Sequence, residues 1–157
     1  MSKVGRRLRA WLGRVGSQPL AAHLALGRRG EELAAEYLEG VGYRLVTANF
    51  RVGIGRDRRG ARVAAEIDLV AYEGARLCFV EVKTRASDWF AAPEANVDRR
   101  KQRQIARAAR AYRRLYGLAA EPYRFDVVSI VLPPPDAEGR ELRPRIKLLR
   151  GFWTEES

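Results

Sequence analysis

Two short stretches decide the fold: Glu66-Ile67-Asp68-Leu69-Val70 and Phe79-Val80-Glu81-Val82-Lys83. Side chains alternate between the two faces of a strand, so Glu66, Asp68 and Val70 share one face, and Glu81 and Lys83 share one in the second stretch. The alternating runs 63–71 and 77–84 are joined by a short turn at Glu73-Gly74, the pattern of a β-hairpin. If Tyr72 pairs with Ala75, Asp68 falls opposite Phe79 and Glu66 opposite Glu81. The acids and the lysine then lie on one surface, an outcome that a turn with an odd number of residues would abolish.

Two carboxylates about 5–6 Å apart repel by roughly 3 kcal/mol at an effective dielectric of 20. A proton or a cation must therefore sit between them. A hard divalent ion held by carboxylates and water, Mg²⁺ with Mn²⁺ as a substitute, meets that need and would activate water and polarise a phosphoryl oxygen. Lys83 would then orient the attacking water or steady charge on a phosphate. The plainer alternative is a solvent-facing strand pair in which Lys83 and the acids are ordinary surface charges. Against it stands the rest of the pair, which is nearly all apolar, as in a sheet covered on both faces.

Outward from the hairpin, a helix is expected over 28–39, closed by Gly40 or Gly42. On its wheel Glu32, Glu36 and Glu39 cluster on one side, whereas Glu31 falls between Leu38 and Ala35 on the apolar side. Glu31 is therefore either a helix-start acid favoured by the dipole or a further carboxylate at the metal site. A strand is expected over 43–51, then a loop over 52–62 that combines Gly53, Gly55 and Gly60 with Arg56, Arg58, Arg59 and Arg62. Residues 87–93 read as irregular and 94–116 as a long helix ended by Gly117. Arg99, Arg100, Arg103, Arg107, Arg110, Arg113 and Arg114 occupy one half of that helix. Val97, Ile105, Ala108, Tyr112 and Leu115 define the other, with Lys101 among them, either reaching out to solvent or acting beside the acids. An apolar strand over 125–132, a proline-rich connection and a short edge strand over 146–149 complete the order helix, three strands, helix, two strands. That order predicts an α/β domain with one mixed sheet flanked by helices.

Composition narrows the partners. The 157 residues suit one domain, assigned to 27–153, after a basic amphipathic extension over 1–26 that reads as a solvated tail, a nucleic-acid arm or a membrane-surface helix. Thirty basic against 19 acidic residues give a net charge of +11, which favours polyanions through counterion release and makes nucleic acid the leading partner class. The arginine half of the second helix, with no intervening acid, suits a phosphate backbone. Cys78 cannot form an internal disulfide and sits in an apolar run, and no transmembrane or signal segment is read, so a soluble, cytoplasmic protein is expected. His23 is the lone histidine and no CxxC or glycine-rich phosphate loop occurs, which argues against zinc hydrolysis and nucleotide binding by their usual motifs.

The segments Gly27-Arg28-Arg29-Gly30-Glu31-Glu32, Glu66-Ile67-Asp68-Leu69-Val70, Phe79-Val80-Glu81-Val82-Lys83-Thr84-Arg85 and Arg124-Phe125-Asp126-Val127-Val128 together resemble the YraN family of predicted endonucleases, over about 27–131. That family looks like a branch of the restriction-endonuclease-like superfamily with the PD-(D/E)xK signature, similar in outline to archaeal Holliday junction resolvases. The resemblance implies a restriction-endonuclease-like sheet and matches Asp68 to the signature aspartate and Glu81 and Lys83 to its ExK pair. It matches Glu31 to a first-helix glutamate and residues 97–101 to a helix-opening segment. Ala65 stands where the family usually has glycine, residues 52–64 are longer than the usual link, and the ending 149–153 differs.

The reaction expected is Mg²⁺-dependent hydrolysis of phosphodiester bonds in DNA. Asp68, Glu81 and Glu31 would serve the metal, Lys83 would position the nucleophile, and Arg99, Arg100, Lys101, Arg103, Arg107, Arg110 and Arg114 would grip the backbone. A branched or single-strand-containing substrate follows from fold analogy alone. The rival reading is a non-catalytic nucleic-acid-binding protein that keeps the fold, and charge alone allows a ribosome-associated or membrane-surface protein. The oligomeric state is left open, a homodimer among the options.

Overall fold

The computed structural model describes residues 22–86 and 97–155. Residues 1–21 of the extension expected over 1–26, the irregular stretch 87–93 and the helix start at 94 lie outside the described residues. Seven elements follow in the expected order: α1 (Ala22–Gly40), β1 (Tyr43–Arg56), β2 (Arg62–Glu73), β3 (Arg76–Arg85), α2 (Arg99–Leu115), β4 (Tyr123–Val131) and β5 (Arg145–Trp153). The strands form one sheet in the order β1-β2-β3-β4-β5. All neighbours are antiparallel except β3 and β4, whose parallel pairing is reached through α2. A five-stranded mixed sheet flanked by two helices is the α/β architecture expected, consistent with a restriction-endonuclease-like fold.

Each helix covers one face of the sheet. Ala34, Ala35 and Leu38 of α1 pack on Leu45, Leu69, Ala71, Cys78, Val80, Val128 and Ile130. Ile105, Ala108, Ala109 and Tyr112 of α2 pack on Ile67, Val70, Leu77, Phe79, Phe125 and Val127. The Tyr112 ring meets Phe50 and Phe79 edge-on, and Phe125 stacks on Trp153 with centroids 4.9 Å apart. Ser129 is buried within β4. Burial pushes the Cys78 thiol up to about 12, with Asp126 nearby adding to the shift, so Cys78 is an inert core residue.

Several expected boundaries move. The first helix begins at Ala22 rather than Arg28 and runs through both Gly27 and Gly30. The second begins at Arg99, because Asp98 caps it: its backbone is extended and its Oδ1 accepts the Lys101 amide at 2.8 Å. Leu115, expected on the apolar half, is 67% exposed in the last turn. The stretch expected as a loop over 52–62 is instead mostly strand. β1 and β2 stay paired as far as Arg56 and Arg62, and only residues 57–61 turn, held by Asp57 Oδ1 accepting the Arg59 and Ala61 amides. Glycine and arginine there mark a hairpin arm that is mostly exposed, with Ile54 buried and Val52 and Val63 partly packed on the core. For the same reason β5, at the sheet edge, is longer than its apolar pattern suggested.

Asp126 of β4 is fully buried. It accepts from the Tyr43 hydroxyl (3.1 Å), Arg124 Nε (2.8 Å) and the Gly151 amide (2.8 Å). Arg124 reaches on to Glu73, which also accepts from Arg150 Nε at 2.9 Å. This network ties β1, β2, β4 and β5 together. Asp126→Ala leaves Arg124 without its buried partner and is expected to cost about 3–5 kcal/mol. Urea unfolding checks this, and a loss under about 1 kcal/mol would show that the network is dispensable.

Candidate metal and nucleic-acid site

The site forms where β2 and β3 part. A two-residue turn with Gly74 at φ +59° pairs Glu73 with Arg76, so Tyr72 faces Leu77 rather than Ala75. The register is therefore shifted by two from expectation: Val70, not Asp68, faces Phe79, and the ladder ends at Leu69 and Val80. A shift of two keeps Val70, Phe79 and Glu81 on the expected face. The ladder ends before Glu66, however, which pairs with Arg51 of β1 instead of facing Glu81, and Val70 packs on the same side as Ile67, against expectation. Beyond Leu69 the strands separate, and the Val82 amide donates to Asp68 Oδ2 at 2.7 Å. Two residues apart along β2, Ile67 packs beneath α2 and Leu69 beneath α1, so strand alternation breaks at Asp68.

The break has a partner in β1. Ala48 pairs with Leu69 and Phe50 with Ile67, while Asn49 between them has φ +51°, the left-handed region that asparagine tolerates better than most residues. Its amide donates from Nδ2 to Glu31 Oε2 at 3.3 Å. Sequence reasoning missed Asn49; an asparagine inside the run Thr47-Ala48-Asn49-Phe50 was the available signal, since asparagine is depleted from strands. Glu31 is brought close by Gly30. A Cβ on Gly30 would lie 1.7 Å from Thr84 Oγ1 and 2.7 Å from Thr84 Cβ, so only glycine lets α1 approach the end of β3.

Five elements thus converge, α1, β1, β2, β3 and α2. Glu81 is 3% exposed, and its Oε1 lies 3.2 Å from Lys83 Nζ. Its Oε2 lies 3.4 Å from Lys101 Nζ of α2, an ion-pair contact, and accepts no hydrogen bond. Lys101 therefore turns in beside the acids rather than out to solvent. Asp68 keeps part of its surface exposed, yet loss of hydration pushes its carboxyl well above the usual 3.8. The neighbouring Glu81 pushes it further, against the Val82 amide and Lys101. Burial likewise raises Glu31, opposed by the Asn49 amide and reinforced by Glu66 and Glu81.

Asp68, Glu81 and Glu31, the residues expected to serve a metal, lie close enough for Glu81 to push up the carboxyls of the other two. Among the described residues no three acidic, histidine or cysteine side chains form a ready-made cage. The donors suited to a hard cation are Asp68, close to Glu81, and the buried, unbonded Oε2 of Glu81. Glu31 stands at the side, held by Asn49.

The arginines of α2 separate into two groups. Arg107 donates from Nη2 to the Ile54 carbonyl, Arg110 pairs with Glu155 at 2.6 Å, and Arg113 donates to the Ala119 carbonyl while lying 3.9 Å above the Tyr123 ring. Glu155 supplies an acid to a face expected to lack one. Arg99, Arg100, Arg103 and Arg114 are exposed and, among the described residues, have no acidic partner.

The family model described as uncharacterised protein family UPF0102 matches residues 30–130, a span that holds every presumed site residue. The chain belongs to UPF0102. This is the YraN family that its motifs resemble. A UPF0102 protein of Chlorobium limicola is 39% identical over 131 residues, 83% of this chain and 94% of its own. One from Geobacter sulfurreducens is 45% identical over 112 residues, 71% and 80% of the two chains. Another from Solibacter usitatus is 41% identical over 127 residues, 81% and 84% of the two. Among the described residues no helix is long and apolar enough to cross a membrane.

Two outcomes are expected. Gly30→Ala should destabilise the protein by about 1–3 kcal/mol through overpacking, with part of the loss recovered when Thr84→Ala is added; equal stability of single and double variants would sink the close-approach argument. The second concerns Asp68. Its proton is held more tightly in the folded than the unfolded chain, so the associated stability is full below pH 3.8 and is lost as pH rises through the raised folded value. Asp68→Asn removes that loss while its side-chain oxygen can still accept the Val82 amide. In chelator at pH 7 the variant should melt above the wild type, by about 2–4 °C for each kcal/mol of strain relieved. A lower melting point in the variant would contradict this.

Proposed function

We propose that this protein is a metal-dependent nuclease hydrolysing phosphodiester bonds in DNA. The observation that carries the reading is the convergence of Asp68, Glu81, Lys83 and Glu31, from three separate elements, at the parting of β2 and β3 and beside the basic helix α2. Asp68 and Glu81 would hold Mg²⁺, or Mn²⁺ in its place, with Glu31 at the edge of the site. The ion would supply an activated water and a cation that polarises the phosphoryl oxygen. Lys83, already 3.2 Å from Glu81, is placed to orient the nucleophile and steady the phosphate charge. Lys101 balances the buried carboxylate from the other side, and the exposed arginines Arg99, Arg100, Arg103 and Arg114 attract the polyanion. Arg107 and Arg110 present their remaining donors to the same backbone.

One observation favours a second reading, a nucleic-acid-binding protein without catalysis. Glu81 is already flanked by two ammonium groups, so its charge is balanced by the chain itself. The two readings part on a single experiment. Mg²⁺ and Mn²⁺ are titrated by calorimetry into wild-type and Asp68→Ala protein, and the same samples are assayed on duplex, single-stranded and four-way-junction DNA. The nuclease reading expects metal binding and cleavage that both vanish in Asp68→Ala, by at least about 100-fold in rate, while DNA affinity stays within a few-fold. DNA binding without metal binding or cleavage in the wild type would move the assignment to the non-catalytic reading.

A further inference from the structure

The hairpin arm carries charge that the site does not use. Residues 51–62 contain Arg51, Arg56, Arg58, Arg59 and Arg62 against Asp57 alone, and Asp57 Oδ1 is spent on the turn's own amides. All five arginines are exposed. Such a run of like charge at the end of a projecting hairpin has no role in the core, and its self-repulsion is a standing cost. The arm is nevertheless held in one place. Ile54 is the extra residue of a bulge between Gly53 and Gly55, its side chain is buried, and its carbonyl accepts from Arg107 of α2.

That clamp sets the arm beside the helix. Between them runs an open cleft of about 270 Å³ lined by Gly53, Ile54, Arg107, Arg110, Ala111 and Arg114. One wall is strand backbone at the sheet edge, where Gly53 leaves open space and Gly55, at φ +123°, adopts a conformation suited to glycine. The other wall is guanidinium. A cleft of exposed backbone and arginine is suited to phosphate oxygens and poorly suited to an apolar ligand.

The helix also fixes direction. Lys101 touches Glu81 at the acidic site, and Arg114 lies thirteen residues further along, about 20 Å at 1.5 Å per residue. At about 3.4 Å of duplex per phosphate on each strand, that length spans roughly six base pairs.

We propose that the β1–β2 hairpin and the C-terminal half of α2 form a two-sided cradle for one arm of a nucleic-acid duplex. Arg58, Arg59 and Arg62 stand on one side and Arg107, Arg110 and Arg114 on the other, and the arm extends about six base pairs from the acidic site. The inference rests on the nuclease reading for its partner, and it adds the hairpin as the second wall and a length for the duplex it holds.

The test uses the full chain with Arg58, Arg59 and Arg62 changed together to alanine. Arg56 is kept because its guanidinium donates to the Gly60 carbonyl within the turn. The probe is a labelled DNA duplex, with affinity measured across a salt series and cleavage measured at saturating DNA. The cradle expects an unchanged melting temperature, an affinity at least about tenfold weaker near 0.1 M salt, and a salt slope smaller by about 2–3, since each phosphate left unneutralised lowers it by about 0.9. Cleavage at saturation should match the wild type. Duplexes shortened below about six base pairs on one side of the cut should lose affinity in the wild type and little in the variant. Affinity and slope equal to wild type in the triple variant overturn the cradle while leaving the Asp68 and Glu81 reading untouched. A wild type that binds no duplex at low salt instead removes the reading beneath it, a result that Asp68→Ala would share.

Discussion

The constraint on which the site depends is the end of the β2–β3 ladder. Past Leu69 and Val80 the two strands no longer exchange backbone hydrogen bonds, and a buried amide left behind there would cost free energy. Asp68 resolves this by accepting the Val82 amide with its side chain. One carboxylate thus both terminates the ladder and stands at the opening that termination creates. The left-handed turn of Asn49 in β1 and the change of packing face between Ile67 and Leu69 are the local adjustments that let the strand do so. Glu31 then enters the gap from α1, at a distance fixed by the contact between Gly30 and Thr84.

Charge explains why the helices lie where they do as much as apolar packing does. A carboxylate as buried as Glu81 is uncommon without partners, and it is met by Lys83 from its own strand and by Lys101 from α2. Lys101 falls on the apolar half of an otherwise sharply divided helix, a placement that would be wasteful on a solvent-facing surface and is satisfied by Glu81. The first turn of α2 is in this way tied to the acids, while its arginines continue away from them. On the α1 side of β4, Asp126 plays a different part: its oxygens are filled by Tyr43, Arg124 and Gly151, which makes it a structural acid despite deeper burial. Burial alone therefore does not mark a reactive carboxylate; the company it keeps does.

How much of this was legible from sequence follows from what each signal measures. Period-2 alternation identifies faces only while it holds, so the shared side of Glu81 and Lys83 was readable, whereas the two-residue shift of register and the break at Asp68, which puts Ile67 and Val70 on one side, were not. The helical wheel reports the side on which a residue lies, so the inward turn of Glu31 and the exception of Lys101 were both visible. Neither pattern sees tertiary geometry. The backbone of Asn49, the close approach of Gly30 to Thr84, and the meeting of Arg110 with Glu155, 45 residues away, depend on elements brought together by folding. The glycine- and arginine-rich arm and most of β5 were missed because edge strands and exposed hairpins lack the buried face that makes alternation legible.

There remains the question of what keeps the acid-bearing half of β3 in place once β2 has left it. The answer lies on its other side. The parallel pairing with β4 continues past the parting, from Glu81 with Val127 to Lys83 with Ser129 and on to Arg85 with Val131, and Leu132 donates its amide to the Arg85 carbonyl at 2.7 Å. β4 is buried from Phe125 to Val131 and is supported in turn by β5. The strand that carries Glu81 and Lys83 is therefore secured by one neighbour and opened by the other. Rigidity comes from the β4 side, and access comes from the β2 side. A fully paired β3 would leave no opening for the Asp68 carboxylate, and a β3 released from both neighbours would not hold Glu81 against two lysines. The mixed sheet, with its single parallel pair next to a truncated antiparallel one, supplies both conditions at once.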